Sequence, residues 1–228
     1  MKLRIVFVAL VVSLVALGFA GQASAASKQE WADCQNENPD IAIAACTKII
    51  NDPGESQENI AIAFNNRGVA YKNENKNAIA IANYMEAIRL NPKYENAWYN
   101  RCNAWYADGN YDEAISDYNQ AIELNPKDAE AYNNRGLCYY HLKKLDQAVV
   151  DYNLSVQIDP NYYKAFNNRG LVWYDEGKYD QAIADYTEAI RLNPKYATAY
   201  NNRGLAYKAK GDTAHADADF ATAKQIGQ

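Results

Sequence analysis

Two side-chain amides and a guanidinium recur along this chain in a fixed order. YNNRG stands at Tyr132 to Gly136 and again at Tyr200 to Gly204, FNNRG begins at Phe64 and at Phe166, and YNRC runs from Tyr99 to Cys102. One amide column is Asn66, Asn100, Asn134, Asn168 and Asn202, and its neighbour is Asn65, Tyr99, Asn133, Asn167 and Asn201. Tyr106, Tyr140 and Tyr174 follow one or two turns later. A carboxamide both donates and accepts, so a row of them can hold the N–H and C=O groups of an extended peptide. Tyrosine adds a large contact area with a polar tip. This is the chemistry of recognition, and five copies of one pentapeptide exceed what one catalytic centre needs.

The arginines pose a different problem. Arg67, Arg101, Arg135, Arg169 and Arg203 lie beside the apolar stripe of their helices, where a guanidinium needs a partner. Asp117, Asp151, Asp185 and Asp219 recur at the same step. Arg135 and Asp151 are each 8 residues from Lys143, so pairing within a unit is open, as is pairing with the preceding unit through Asp117. Asn83 fills the aspartate column of the first unit, which leaves one arginine less well matched.

Catalytic and metal patterns are missing from the sequence. His141 and His215 fall in different units with no serine or cysteine at motif spacing. There is no phosphate loop or dinucleotide fingerprint. The cysteines are spaced by 12, 56 and 36 residues, which is no zinc pattern, and His215, Asp217 and Asp219 do not converge on a helix. We expect no enzyme activity, no metal and no cofactor.

These residues must be positioned by elements that repeat with them. The arginines step by 34 residues, as do Pro92, Pro126, Pro160 and Pro194, which is one helix–turn–helix unit per step. In the third unit, Ala129 to Tyr162, Tyr132, Gly136 and Tyr139 share one face of the first helix. Gly136 in mid-helix costs about 1 kcal/mol against alanine, so a second helix is expected to approach it closely. That helix carries Leu145, Ala148, Tyr152 and Ser155 on one stripe and ends at Asp159-Pro160.

The fourth unit, from Ala165 to Tyr196, resembles the tetratricopeptide repeat family through Phe166, Gly170, Tyr174, Gly177, Tyr179, Ala182, Tyr186, Ala189 and Pro194. The resemblance implies an all-α, right-handed solenoid. Five units fill 58–228, at about 61–94, 95–128, 129–162, 163–196 and 197–228. It also implies that stacked first helices line a concave groove which binds a protein or an extended peptide. Both amide columns then face that groove, the one containing Asn133 more squarely, with the best surface across the second to fourth units. For the column containing Asn134, bonding to neighbouring helices is an equal alternative. Only Lys164 suits the lysine clamp that some family members use on a C-terminal carboxylate, so no clamp is expected.

The two ends differ from the middle. Lys2 and Arg4, an apolar run from Ile5 to about Ala20, and Ala23-Ser24-Ala25 read as a signal peptide, 1–25, cleaved after Ala25. The mature chain is then exported, periplasmic or secreted, with no membrane attachment. Cleavage takes the formal charge from −5 to −7, against a nucleic-acid partner. Residues 26–57 read as a degenerate helical hairpin and loop. Cys34 and Cys46 each lie 6 residues from its turn at Asp40, so they can meet as a disulfide or remain two buried thiols. Cys102 and Cys138 read as small buried hydrophobes. In the last unit Asp217 and Lys224 replace Ile183 and Ile190, giving a polar end cap, and the alanine-rich final helix is expected to fray most. Two other partners are a cell-wall glycan or other carbohydrate, and a second copy in a homo-oligomeric scaffold.

Overall fold

The computed structural model describes residues 25–227, and those residues form twelve α-helices with no strand among them. The expected signal peptide lies almost wholly outside this range. A short hairpin, α1 (Lys28–Cys34) and α2 (Pro39–Ile50), precedes five larger ones. These pair α3 (Gln57–Asn73) with α4 (Asn77–Leu90), α5 (Glu95–Ala107) with α6 (Tyr111–Leu124), and α7 (Ala129–His141) with α8 (Leu145–Ile158). The last two pair α9 (Tyr163–Asp175) with α10 (Tyr179–Leu192), and α11 (Ala197–Ala209) with α12 (Thr213–Ile226).

Local chemistry sets the boundaries. Helix α3 starts a turn before the expected repeat because Ser56 caps it, accepting from the Asn59 amide. The second helices α4, α6, α8 and α10 stop at an Asn-Pro or Asp-Pro pair. There the side chains of Asn91, Asn125, Asp159 and Asn193 accept from the backbone N–H two residues on. Such a turn competes with helix continuation, and the proline has no N–H to continue it. Each turn inside a full unit holds one residue at positive φ: Asn75, Gly109, Lys143, Gly177 or Gly211.

Within a unit the two helices meet at the mid-helix glycine. A Cβ built on Gly136 would lie 2.7 Å from Cε1 of Tyr152, and Gly68, Gly170 and Gly204 face Tyr84, Tyr186 and Phe220 in the same way. The helix-weakening residue is kept because an aromatic ring lies on it. Between units, the backbones of α3 and α5, α7 and α9, and α9 and α11 come within 8 Å at several points, whereas successive second helices stand further apart. The first helices therefore lie on the inside of the curve. Cys34 and Cys46 are disulfide-bonded, with Cα atoms 4.7 Å apart, and pack with Ile49 against Ala63 of α3. Helix α12 runs to Ile226 behind an Asp212 cap. Among the described residues no helix is long and apolar enough to cross a membrane.

Candidate interaction groove

The two amide columns are bonded to each other. Asn133 donates to Asn134 in its own helix at 3.0 Å, and Asn167 to Asn168 at 3.2 Å. Across units, Asn100 donates to Asn65, Asn168 to Asn133 and Asn202 to Asn167, each at 2.9 Å. At the second joint Tyr99 stands in the column, and Asn134 donates to its hydroxyl at 3.2 Å. Asn66 begins the series, 3.9 Å from Sγ of Cys34.

This corrects one expectation. The column containing Asn133 does not face the groove more squarely: Asn65, Asn133 and Asn167 are 5 %, 2 % and 2 % exposed. Each lies under the following unit and accepts from its amide. Asn201, with no unit after it, is exposed. In the other column Asn168 is buried, and Asn66, Asn100, Asn134 and Asn202 are half-buried with their nitrogens already donating. A buried carboxamide must find partners, and the stacked repeat supplies them from its own neighbour.

The tyrosines remain as surface, and two of them, Tyr106 and Tyr140, have their tips tied down. Tyr106 shares a 2.9 Å hydrogen bond with Nε2 of His141, whose ring stacks on Tyr111 at 4.8 Å. Tyr140 donates to Asp175 at 2.8 Å, and Tyr174 packs on Tyr179 at 5.5 Å. Burial, then the bond to Asp175, pushes the Tyr140 phenol up to about 12. Burial and then Lys143 pull the His141 imidazole below its ordinary value. The groove residues expected from the sequence leave out the column Val69, Asn103, Leu137, Leu171 and Leu205, which shares this face. Leu205 is 45 % exposed. The 34-residue step contained that column, and its aliphatic character was the available signal.

The arginines pair within their own units. Arg101, Arg135, Arg169 and Arg203 each grip Asp117, Asp151, Asp185 and Asp219 through two nitrogens at 2.6–2.8 Å. The alternative of pairing with the preceding unit's aspartate is not taken. A third nitrogen nevertheless reaches back, from Arg135 to Asn119, Arg169 to Asn153 and Arg203 to Thr187. Each guanidinium also lies over an aromatic ring of its helix, as Arg135 does over Tyr132 at 5.4 Å. Arg67, facing Asn83 and Thr47, has no carboxylate in this arrangement, and burial lowers its pKa. In Arg203 the hydrogen bond to Asp219 raises it. The guanidinium column thus fastens helix to helix and unit to unit.

Stacked helical hairpins with a glycine under an aromatic ring define a helical repeat protein, and comparison with known families says which. Tetratricopeptide repeat models match at 61–94, 129–162 and 197–226, and a further model described as TPR repeat matches at 102–143 and 172–211. Together they span more than half of the chain, which belongs to the tetratricopeptide repeat family.

Solved structures share the fold. A tetratricopeptide repeat protein from Parabacteroides merdae aligns at 21 % identity over 87 % of this chain and 77 % of that one, with a TM-score of 0.75. MamA aligns at 23 % identity over 73 % and 91 %, with a TM-score of 0.64. YrrB, described as a TPR protein with an unusual peptide-binding site, aligns at 23 % over 81 % and 93 %, with a TM-score of 0.61. Among curated proteins no sequence matches.

Proposed function

We propose that this chain is an exported, non-catalytic interaction scaffold that holds an extended segment of a partner protein along the concave wall of its second to fourth units. One observation carries the reading. The amides of that wall are occupied by each other, whereas Tyr106 and Tyr140 have fixed tips and present ring surface beside Leu137 and Leu171. Rigid aromatic surface flanked by aliphatic side chains is the composition of a recognition site, and it loses little side-chain entropy on binding. YrrB, a protein of the same fold, is described as having a peptide-binding site. Export is supported by the pattern of residues 1–25 and by the Cys34–Cys46 bridge, a bond that persists in oxidising compartments.

The test is affinity capture from an envelope extract. The wild type is compared with a Tyr140→Ser, Tyr174→Ser variant shown by circular dichroism and melting to be folded. A protein retained by the wild type and lost by the variant supports the groove. Equal retention by both, retention of glycan alone, or assembly of the chain with itself in concentration-dependent light scattering sinks it.

A further inference from the structure

The second unit departs from its neighbours at three nearby places. Its first helix reads Tyr99-Asn100-Arg101-Cys102-Asn103 where the fourth reads Asn167-Asn168-Arg169-Gly170-Leu171. Cys102 fills the glycine column. In the first, third and fourth units a tyrosine ring carbon lies 2.5–2.7 Å from where a Cβ would stand on that glycine. A ring cannot keep that place beside a real Cβ and Sγ, so Tyr118 sits differently. Its hydroxyl donates to Oδ1 of Asn103 at 2.8 Å, whereas the hydroxyls of Tyr84 and Tyr152 are buried with no hydrogen-bond partner among the described residues.

The other two departures act at the same spot. Asn103 stands where the other units have Val69, Leu137, Leu171 and Leu205, and its less bulky polar side chain leaves volume unfilled. Tyr99 bridges to Asn134 through a phenol, longer than the amide used at the other joints. Helices α5 and α7 accordingly do not approach at as many points as the other successive first helices of the full units.

The result is a cavity of about 90 Å³ in the concave wall, lined by Asn103, Tyr106, Tyr118, Asn134 and Leu137. A cavity of about 150 Å³ accepts benzene, so this one accommodates about four carbon atoms. Leu137 and the rings of Tyr106 and Tyr118 make it largely apolar. Asn134 has both polar groups engaged, with Asn133 and Tyr99. Asn103 uses its oxygen on Tyr118, and its side chain also hydrogen-bonds the Tyr99 phenol.

We propose that this cavity selects the bound segment by taking one branched aliphatic side chain, of valine to leucine size. The proposal rests on the peptide-binding reading above and adds which residue of the partner the groove reads. Aromatic and long basic side chains exceed the volume. A carboxylate would sit among phenol rings and leucine with no cation in the lining.

The experiment binds a positional-scanning library of extended decapeptides to the protein expressed with its own N-terminal sequence. The comparison is a Cys102→Gly, Asn103→Leu variant, which restores the residues of the neighbouring units and lets Tyr118 settle on the glycine. The wild type is expected to prefer valine, isoleucine or leucine over alanine at one position by roughly tenfold. The variant is expected to bind the same peptides without that preference. Leu137→Trp, which fills the cavity from its other wall, should do the same, and thermal melts establish that both variants fold. An unchanged preference in both variants, or no aliphatic preference in the wild type, overturns the pocket and leaves the groove standing. No peptide bound by the wild type above the Tyr140→Ser, Tyr174→Ser control overturns both.

Discussion

Asn168 donates its side-chain N–H to the side-chain oxygen of Asn133, one repeat earlier and 2.9 Å away, and both residues are buried. Substituting either partner leaves a buried amide group unsatisfied, which costs about 1–3 kcal/mol. Asn133→Ala and Asn167→Ala are therefore expected to destabilise by that amount in urea titrations. Asn201→Ala, at the exposed end of the column, should stay within about 0.5 kcal/mol of wild type. Equal effects at all three positions would show that the relay between units contributes nothing.

Asp151 is buried and doubly bonded to Arg135. Removing one partner of such a pair is more damaging than the pair is stabilising, because the remaining charge is stranded. Asp151→Ala should cost about 3 kcal/mol, with an added Arg135→Met change recovering part of it. A double-mutant cycle in guanidinium chloride measures both.

The glycine under Tyr152 has no room for a methyl group. With its Cβ 2.7 Å from a ring carbon in a filled core, Gly136→Ala should destabilise by about 1–3 kcal/mol, although alanine is the better helix former. Circular dichroism melts of Gly136→Ala and Gly170→Ala check this, and a stabilised variant would contradict the packing.

Reducing the Cys34–Cys46 bridge should act locally. Closing a loop of this length in the unfolded chain is worth about 2–3 kcal/mol. Repeat units couple mainly to their neighbours. Hydrogen exchange should accelerate in α1, α2 and the start of α3 on Cys34→Ser, Cys46→Ser substitution, with α7 to α10 unchanged.

His141 should titrate below the ordinary value of about 6.5, read from its imidazole proton shifts by NMR. The folded chain favours the neutral ring, so nothing is lost while both states are neutral. As pH falls below about 6.5 the unfolded chain takes up the proton first, and stability declines until the folded ring is also protonated. A pH-independent midpoint through that window in wild type, equal to that of His141→Gln, would contradict this.

How much was legible in the sequence depends on the range of the interaction concerned. The 34-residue step, the prolines and the mid-helix glycines specify helix pairs, because helix stops and close packing within a hairpin follow from residues near in sequence. The need of each arginine for an aspartate was readable for the same reason. The choice between Asp151 and Asp117 was not, since both lie at plausible distances and side-chain direction decides. Tertiary structure also decided the fate of the amides. Asn133 and Asn134 sit about 100° apart around one helix, and helical periodicity cannot say which of them the next repeat will cover. That depends on how one hairpin is rotated against the next, a geometry set by the whole layer of packed rings and guanidinium forks. The fold was thus written in local spacing, and the exposed surface was settled when neighbouring units stacked, because burial belongs to the stack and to no one helix.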